Sequence, residues 1–352
     1  MAMAAVTPVL DAPAARSLGP AAPGTELADG YRVISHLNRG NRLDVYDAWS
    51  VERESRCVLK TLRPDRSSEA AARRALAQEG RLLRRLSHPH LVRAYELTEA
   101  LDDERPVLVL ETLGGETLSH LIHRLDERGR RLPLTEVAVL GRQLASVLSY
   151  LHGQGWLHLD LKPSNIVADA GRARLIDLSI ARRPGRARAG TGTFEYLSPE
   201  QARGGQLTAA SDVWGLGGVL YTALVGEPPY GYVEDDWTSL GADADDDDAP
   251  GSDDGPDHDE PGIDHPKDGT DAGHEGDAWL TEPTMSPDGS EAYPQLMSDP
   301  LSVRRHRRLP SVLGRLVDGC LQREAAARPS LSRVSSTLET WLASRTDDRQ
   351  SG

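Results

Sequence analysis

The sequence predicts an α+β fold, with strands and one helix over the first hundred or so residues and mainly helices after them. Two observations carry that expectation. Short alternating apolar runs cluster before Gly114-Gly115. Beyond that pair, apolar residues recur at helical spacing.

Residues 1 to 28 are small residues and prolines without periodicity and read as a disordered tail. They lack a basic leading region, and Pro8, Asp11 and Pro13 interrupt any apolar run, so a signal peptide is not expected. Runs at 31–34 and 45–49 flank Asn38-Arg39-Gly40-Asn41 and predict two strands joined by a turn. A third strand is expected at 57–62. Residues 67–86 are rich in Ala, Arg, Leu and Glu and predict a helix that stops before Ser87-His88-Pro89. Strands are expected near 91–97 and 107–111. Val137, Leu140, Leu144, Val147, Leu148 and Leu151 predict an amphipathic helix over 135–152. A strand-like run, 172–176, leads into Asp177. A helix from Ser211-Asp212 to Val225 is apolar on most faces and should be buried; Gly226 and Pro228-Pro229 end it. Two further helices are expected at 309–323 and 330–343, after the basic cluster 304–308.

The net charge of -14 over 352 residues hides an asymmetry. Between Glu234 and Glu291 stand 21 acidic residues and one base, Lys267, a charge of -20 that leaves +6 for the rest. Segment 232–298, dominated by Asp, Gly and Pro, is expected to be a disordered acidic insertion. Its histidines (His258, His265, His274) are irregularly spaced, so a solvated loop is favoured over a metal site. Cys57 and Cys320 lie far apart, which fits a reduced, cytoplasmic chain. No apolar run is long enough to span a membrane. The basic residues are scattered without interleaved aromatics, which speaks against nucleic acid.

The chemistry is concentrated in His158-Leu159-Asp160-Leu161-Lys162-Pro163-Ser164-Asn165. Asp160 could take a hydroxyl proton, Lys162 could neutralise a transferring phosphoryl group, and Asn165 could hold a metal. Asp177 is a second metal-type acid. Upstream, Lys60 lies on an expected strand and Glu79 on the following helix. Taken alone, that pair reads more readily as a solvated surface pair than as a phosphate grip.

The order of these residues closely resembles the protein-kinase superfamily, and Asp160-Leu161-Lys162-Pro163-Ser164-Asn165 looks like its Ser/Thr branch, of bacterial, actinobacterial type. The resemblance covers 30–232 and 300–343. It implies a two-lobed protein-kinase-like fold: N-lobe 29–111, C-lobe 112–343 interrupted by the insertion 232–298, and a tail at 344–352. It implies that Asp160 orients the acceptor hydroxyl, Lys162 stabilises the moving phosphoryl group, and Asn165 and Asp177 hold Mg²⁺. Lys60, braced by Glu79, would grip the ATP phosphates. Gly40, Val45, Val58 and Val167 would line the ATP site, with Glu111 and Leu113 bonding adenine through their backbone and Leu110 as gatekeeper. Thr193, in the segment Gly192 to Glu200, would position the acceptor peptide. Asp212 would anchor the catalytic loop, and Glu200 with Arg328 would form a buried structural pair.

Some positions depart from the family pattern. The three glycines of the phosphate loop map to Asn38, Gly40 and Leu43, so only the middle one is kept. Val58 stands for a smaller residue over adenine, and Ser179 for a glycine after Asp177-Leu178. Leu159 stands where an arginine usually reads a phosphate on the activation loop. The loop 180–189 has no Ser or Thr but carries Arg182, Arg183, Arg186 and Arg188. The expectation is a Ser/Thr protein kinase using Mg-ATP on protein substrates without dependence on activation-loop phosphorylation. The alternative is a pseudokinase acting as a nucleotide- or protein-binding scaffold. An intramolecular contact of the acidic insertion with basic loops is a further candidate.

Overall fold

The protein is described by a computed structural model covering residues 19–231 and 293–350. The tail before residue 19 and the insertion between 232 and 292 lie outside the described residues, and with them the expectations of disorder there.

Six antiparallel strands form the N-terminal sheet: β1 (Glu26–Ala28), β2 (Tyr31–Arg39), β3 (Leu43–Ser50), β4 (Ser55–Leu62), β5 (Ala94–Glu99) and β6 (Pro106–Glu111), in the order β1-β2-β3-β4-β6-β5. Alternation along β3 and β4 divides their side chains. Tyr46, Ala48, Cys57 and Leu59 join Val33, Val107 and Val109 in a core on one face. The register pairs Val45 with Lys60 and Asp47 with Val58, which sets these residues on the other face. Helix α1 (Ala70–Arg85) packs on β5 and β6. Its helical period brings Leu76, Glu79 and Leu83 to one buried stripe, so a carboxylate is carried inward by two leucines.

The second part is built on helices α2 (Leu118–Asp126), α3 (Leu134–Gly153), α4 (Pro199–Arg203), α5 (Ala209–Val225), α6 (Pro294–Met297), α7 (Ser311–Cys320) and α8 (Leu331–Gln350). Every residue of α5 from Ser211 to Val225 is buried, with α3 and α7 packed on it. A small sheet of β7 (Glu116–Thr117), β8 (Ile166–Asp169) and β9 (Arg172–Leu175) lies before Asp177. A ribbon of β10 (Gly185–Arg186) and β11 (Gln206–Leu207) follows. The two parts are joined where Val92 N donates to Leu175 O at 2.8 Å and Leu175 N to His90 O at 2.9 Å. Among the described residues no helix is long and apolar enough to cross a membrane.

Five expected boundaries are corrected. The tail does not extend to 28: Glu26–Ala28 is a strand whose Leu27 and Ala28 are buried. The insertion does not extend to 298: Tyr293 and Gln295 are buried, because Tyr293 stacks on Phe194 and packs with Leu197 and Ala202. No tail begins at 344, since α8 continues to Gln350. The strand expected from 91 starts only at Ala94, and the helix expected from 67 starts at Ala70 after a short turn at Pro64–Arg66.

Candidate active site

The loop from His158 to Asn165 is held by its own backbone. Asp212, on the buried first turn of α5, accepts from His158 N at 2.9 Å and Leu159 N at 2.7 Å. Leu159 adopts φ +69, a left-handed conformation that costs an L-residue about 1–2 kcal/mol. Its side chain is buried with Leu157 and Leu207. Asp160 is thereby presented toward Thr193, whose Oγ1 donates to Asp160 Oδ1 at 2.5 Å. The same hydroxyl oxygen accepts from Lys162 Nζ at 2.8 Å. Asn165 Nδ2 donates to Asp160 O at 2.9 Å and Asp160 Oδ2 at 3.0 Å, leaving its own carbonyl oxygen outside those bonds. One acid, one cation and one amide thus converge on the space beside a hydroxyl.

Lys60 lies between two carboxylates. Its Nζ is 3.0 and 2.9 Å from the two Glu79 oxygens and 3.0 Å from Asp177 Oδ2. The pair expected as surface or grip is fully buried at Glu79 and nearly so at Lys60. Burial by itself would push Lys60 down, but Asp177 and Glu79 outweigh it and hold it above the ordinary lysine value. The two acids compete for that one ammonium and shift in opposite directions. Burial opposes the charge of Asp177 too, yet Lys60 and the Ser179 amide hold it well below the usual carboxylate range. Burial, joined by the Asp177 charge, pushes Glu79 up to about 7 despite Lys60 and the Leu178 N–H. Because Glu79 then binds a proton in the folded chain that it would release unfolded, its contribution to stability falls as pH rises from its ordinary value through about 7. Glu79→Gln removes that titration. The stability of the wild type relative to this variant should drop by on the order of 2–3 kcal/mol between pH 4.5 and pH 8. Denaturant unfolding of both proteins across that range measures it, and parallel pH profiles would refute the raised Glu79.

The residues expected to line adenine lie on the sheet, after β6 and on β8. Val58 stands opposite Leu110 on β6 and packs on the main core, as does Leu113, while Val167 on β8 is buried. The Glu111 carboxylate accepts from Arg93 N at 2.7 Å and from the Arg174 guanidinium on β9, tying the segment between the two parts to the second one. Sequence reasoning missed Arg174. The phosphate loop differs from expectation. Asn38 pairs with Val45 and Arg39 with Asp44, so the segment is a zipped hairpin, and Gly40 N donates to Leu43 O at 2.8 Å. None of Asn38, Gly40 or Leu43 has positive φ. Leu43 is therefore accommodated without strain, and the Gly40 amide is engaged inside the turn rather than aimed outward.

The loop 180–191 is ordered by its own chain. β10 pairs with β11, and Arg182 N and O exchange bonds with Leu157. Arg183 donates to Gln154 O and Gly155 O, at 2.8 and 3.1 Å beyond the end of α3, and lies over the Trp156 ring. Arg182 donates to Arg186 O at 2.9 Å. Arg182 and Arg183 are thus committed to backbone carbonyls. Glu200 and Arg328 form the expected pair, at 2.6 and 2.9 Å, with the Arg328 side chain buried and Glu200 partly buried.

This two-part fold, with one cluster of Lys60, Glu79 and Asp177 and another of Asp160, Lys162, Asn165 and Thr193, is of the protein-kinase class. The model of the protein kinase domain family matches residues 31–338, and the chain belongs to that family. A probable serine/threonine-protein kinase of Streptomyces coelicolor is 32% identical over 214 residues, covering 58% of this chain and 31% of the relative. The serine/threonine-protein kinase PknB of Mycobacterium leprae is 32% identical over 213 residues, covering 58% and 34%. The chain spans about a third of the length of these curated relatives. The PknI kinase domain of Mycobacterium tuberculosis shares the fold, with a TM-score of 0.60 at 20% identity over 92% of this chain and 99% of that one.

Proposed function

We propose that the chain is a serine/threonine protein kinase that transfers the γ-phosphoryl group of Mg-ATP to a protein hydroxyl. The observation that carries the reading is the hydroxyl of Thr193, which donates to Asp160 while accepting from Lys162. The acid and the cation are set for a hydroxyl-sized group. The names of the relatives support the same reading.

Asp160 draws the proton of an acceptor hydroxyl and orients its oxygen. Lys162 holds positive charge beside that oxygen; burial would push its pKa down, but Asp160 and Asp177 hold it up. Lys60, fixed by Glu79, offers a buried cation to phosphate oxygens. Asn165 and Asp177 contribute hard oxygen donors, which fits magnesium, an ion commonly held by one or two carboxylates together with substrate phosphates. The bound metal would neutralise phosphate charge. Incubation of the purified chain with labelled ATP, magnesium and a mixed Ser/Thr peptide pool should yield phosphoserine or phosphothreonine. No labelling by folded protein would turn the reading toward the pseudokinase.

Independence from activation-loop phosphorylation follows from Leu159 and from the backbone pairing of the loop. The Thr191 hydroxyl donates to Arg188 O, at 3.0 Å. Thr191→Ala, after phosphatase treatment, should keep activity within roughly fivefold of the wild type, the loss of one modest hydrogen bond. A near-complete loss in a folded variant counts against independence. A cytoplasmic setting, protein substrates and no nucleic acid complete the proposal; Cys57 and Cys320 are buried and unpaired. The contact of the acidic insertion with basic loops is proposed on charge alone.

A further inference from the structure

Gln201, on α4, is buried and has every side-chain polar atom engaged. Its Nε2 donates to Leu159 O and to Thr191 O, both at 2.8 Å. Its Oε1 accepts from Ser198 N at 3.2 Å and Ser198 Oγ at 2.9 Å. Its own C=O accepts from Gly190 N at 2.9 Å. One residue therefore touches the catalytic loop, the end of the activation loop and the acceptor segment.

The two carbonyls that Gln201 bridges belong to peptide planes that aim the reacting groups. The Leu159 C=O plane leads directly into Asp160. Leu159 N–H is held by Asp212, so with its C=O held by Gln201 both planes flanking the left-handed Leu159 are pinned. The Thr191 C=O plane leads through Gly192 to Thr193, which bonds Asp160 and Lys162. Gly192, at φ +129, has no room for a Cβ, which would lie 3.0 Å from Gln201 Nε2 and 3.0 Å from Leu159 O. Two carbonyl oxygens converging this closely need donors between them, and a planar NH₂ offers two. A charged partner, such as a loop phosphate read by an arginine, is not required for that link.

We infer that Gln201 is a positioning residue for phosphotransfer, a neutral latch that keeps Asp160 and Thr193 in register without a phosphate on the loop. The inference rests on the kinase reading above. It predicts that removing the NH₂ group slows the chemical step and leaves nucleotide binding alone, because Gln201 contacts none of Lys60, Glu79 or Asp177.

The test compares Gln201→Met, of similar length and uncharged, and Gln201→Glu, of similar shape with a carboxylate facing the two carbonyls. Steady-state kinetics should show kcat falling about 30- to 100-fold in each, as expected for two buried acceptors left unpaired, while KM for ATP stays within about twofold. Stabilisation by Mg-ADP in a thermal melt should match the wild type, which also establishes that the variants are folded. Amide hydrogen exchange at 190–193 should rise in Gln201→Met. A folded variant with wild-type kcat, or one that loses Mg-ADP stabilisation in step with kcat, overturns the latch. Absence of transfer by the wild type refutes the kinase reading instead, and unchanged exchange at 190–193 would then still refute the latch.

Discussion

Asp160→Asn should lower phosphotransfer by about two to four orders of magnitude, the range for removing a positioned general base. The substitution preserves size but not donor and acceptor roles. Asp160 accepts on both oxygens, from Thr193 Oγ1 and from Asn165 Nδ2. An asparagine can keep only one of these acceptors and turns an NH₂ group toward the other partner, so the loop loses proton-accepting capacity and local order together. Lys60, Glu79 and Asp177 do not touch Asp160 through any of these bonds, and Mg-ADP stabilisation in a thermal melt should be retained. The informative measurement is labelled phosphate transfer by wild type and variant at equal folded concentration. Equal rates above background would remove Asp160 from the mechanism, whereas equal background labelling would favour the pseudokinase.

The largest effect on stability is expected at Arg328. Its side chain is fully buried and its guanidinium makes five bonds: to Glu200 at 2.6 and 2.9 Å, to Gln322 O at 2.7 Å, to Ala210 O at 2.8 Å and to Arg323 O at 3.1 Å. It also lies over the Trp214 ring at 5.1 Å. Arg328→Met keeps part of the apolar stem but strands the Glu200 carboxylate, which would retain Ser211 Oγ as a partner. Breaking one side of a buried pair costs about 3–5 kcal/mol, which lowers the melting temperature by on the order of 10 °C in a chain of this size. Glu200 adjoins Gln201 on α4, so the loss should also loosen the latch. Calorimetry reads the first effect, and hydrogen exchange at 190–193 the second. A shift below about 1 kcal/mol, within the range of ordinary surface changes, would mean the pair is not the keystone its burial implies.

Much of the architecture was legible in the chain. The alternation at β3 and β4, the period of α3 and the all-round apolar α5 are local signals, set by neighbours two to four positions apart. The buried Glu79 was also within reach, since Leu76 and Leu83 share its helical face. Other features had no local signal. The zipped hairpin at Asn38 to Leu43 depends on the cross-strand partners Val45 and Asp44, which a count of glycines does not register. The seating of Arg183 over Trp156 and against the carbonyls beyond α3 likewise depends on residues remote from the loop.

By itself, then, the sequence determined the element types, the order of the chemistry-bearing residues and their membership of the protein kinase domain family. Each of these is written in short-range pattern or in the linear order of side chains. The tertiary structure alone decided how charge and geometry are shared. Lys60 and Asp177 are 117 positions apart, and only folding makes Asp177 compete with Glu79 for one ammonium and lifts Glu79 toward neutrality. Leu159 and Gln201 are 42 positions apart, and only folding turns a missing arginine into a neutral amide bridge. Electrostatic shifts and hydrogen-bond sharing depend on distances of about 3 Å between segments remote in the chain, and no periodicity along the sequence encodes them.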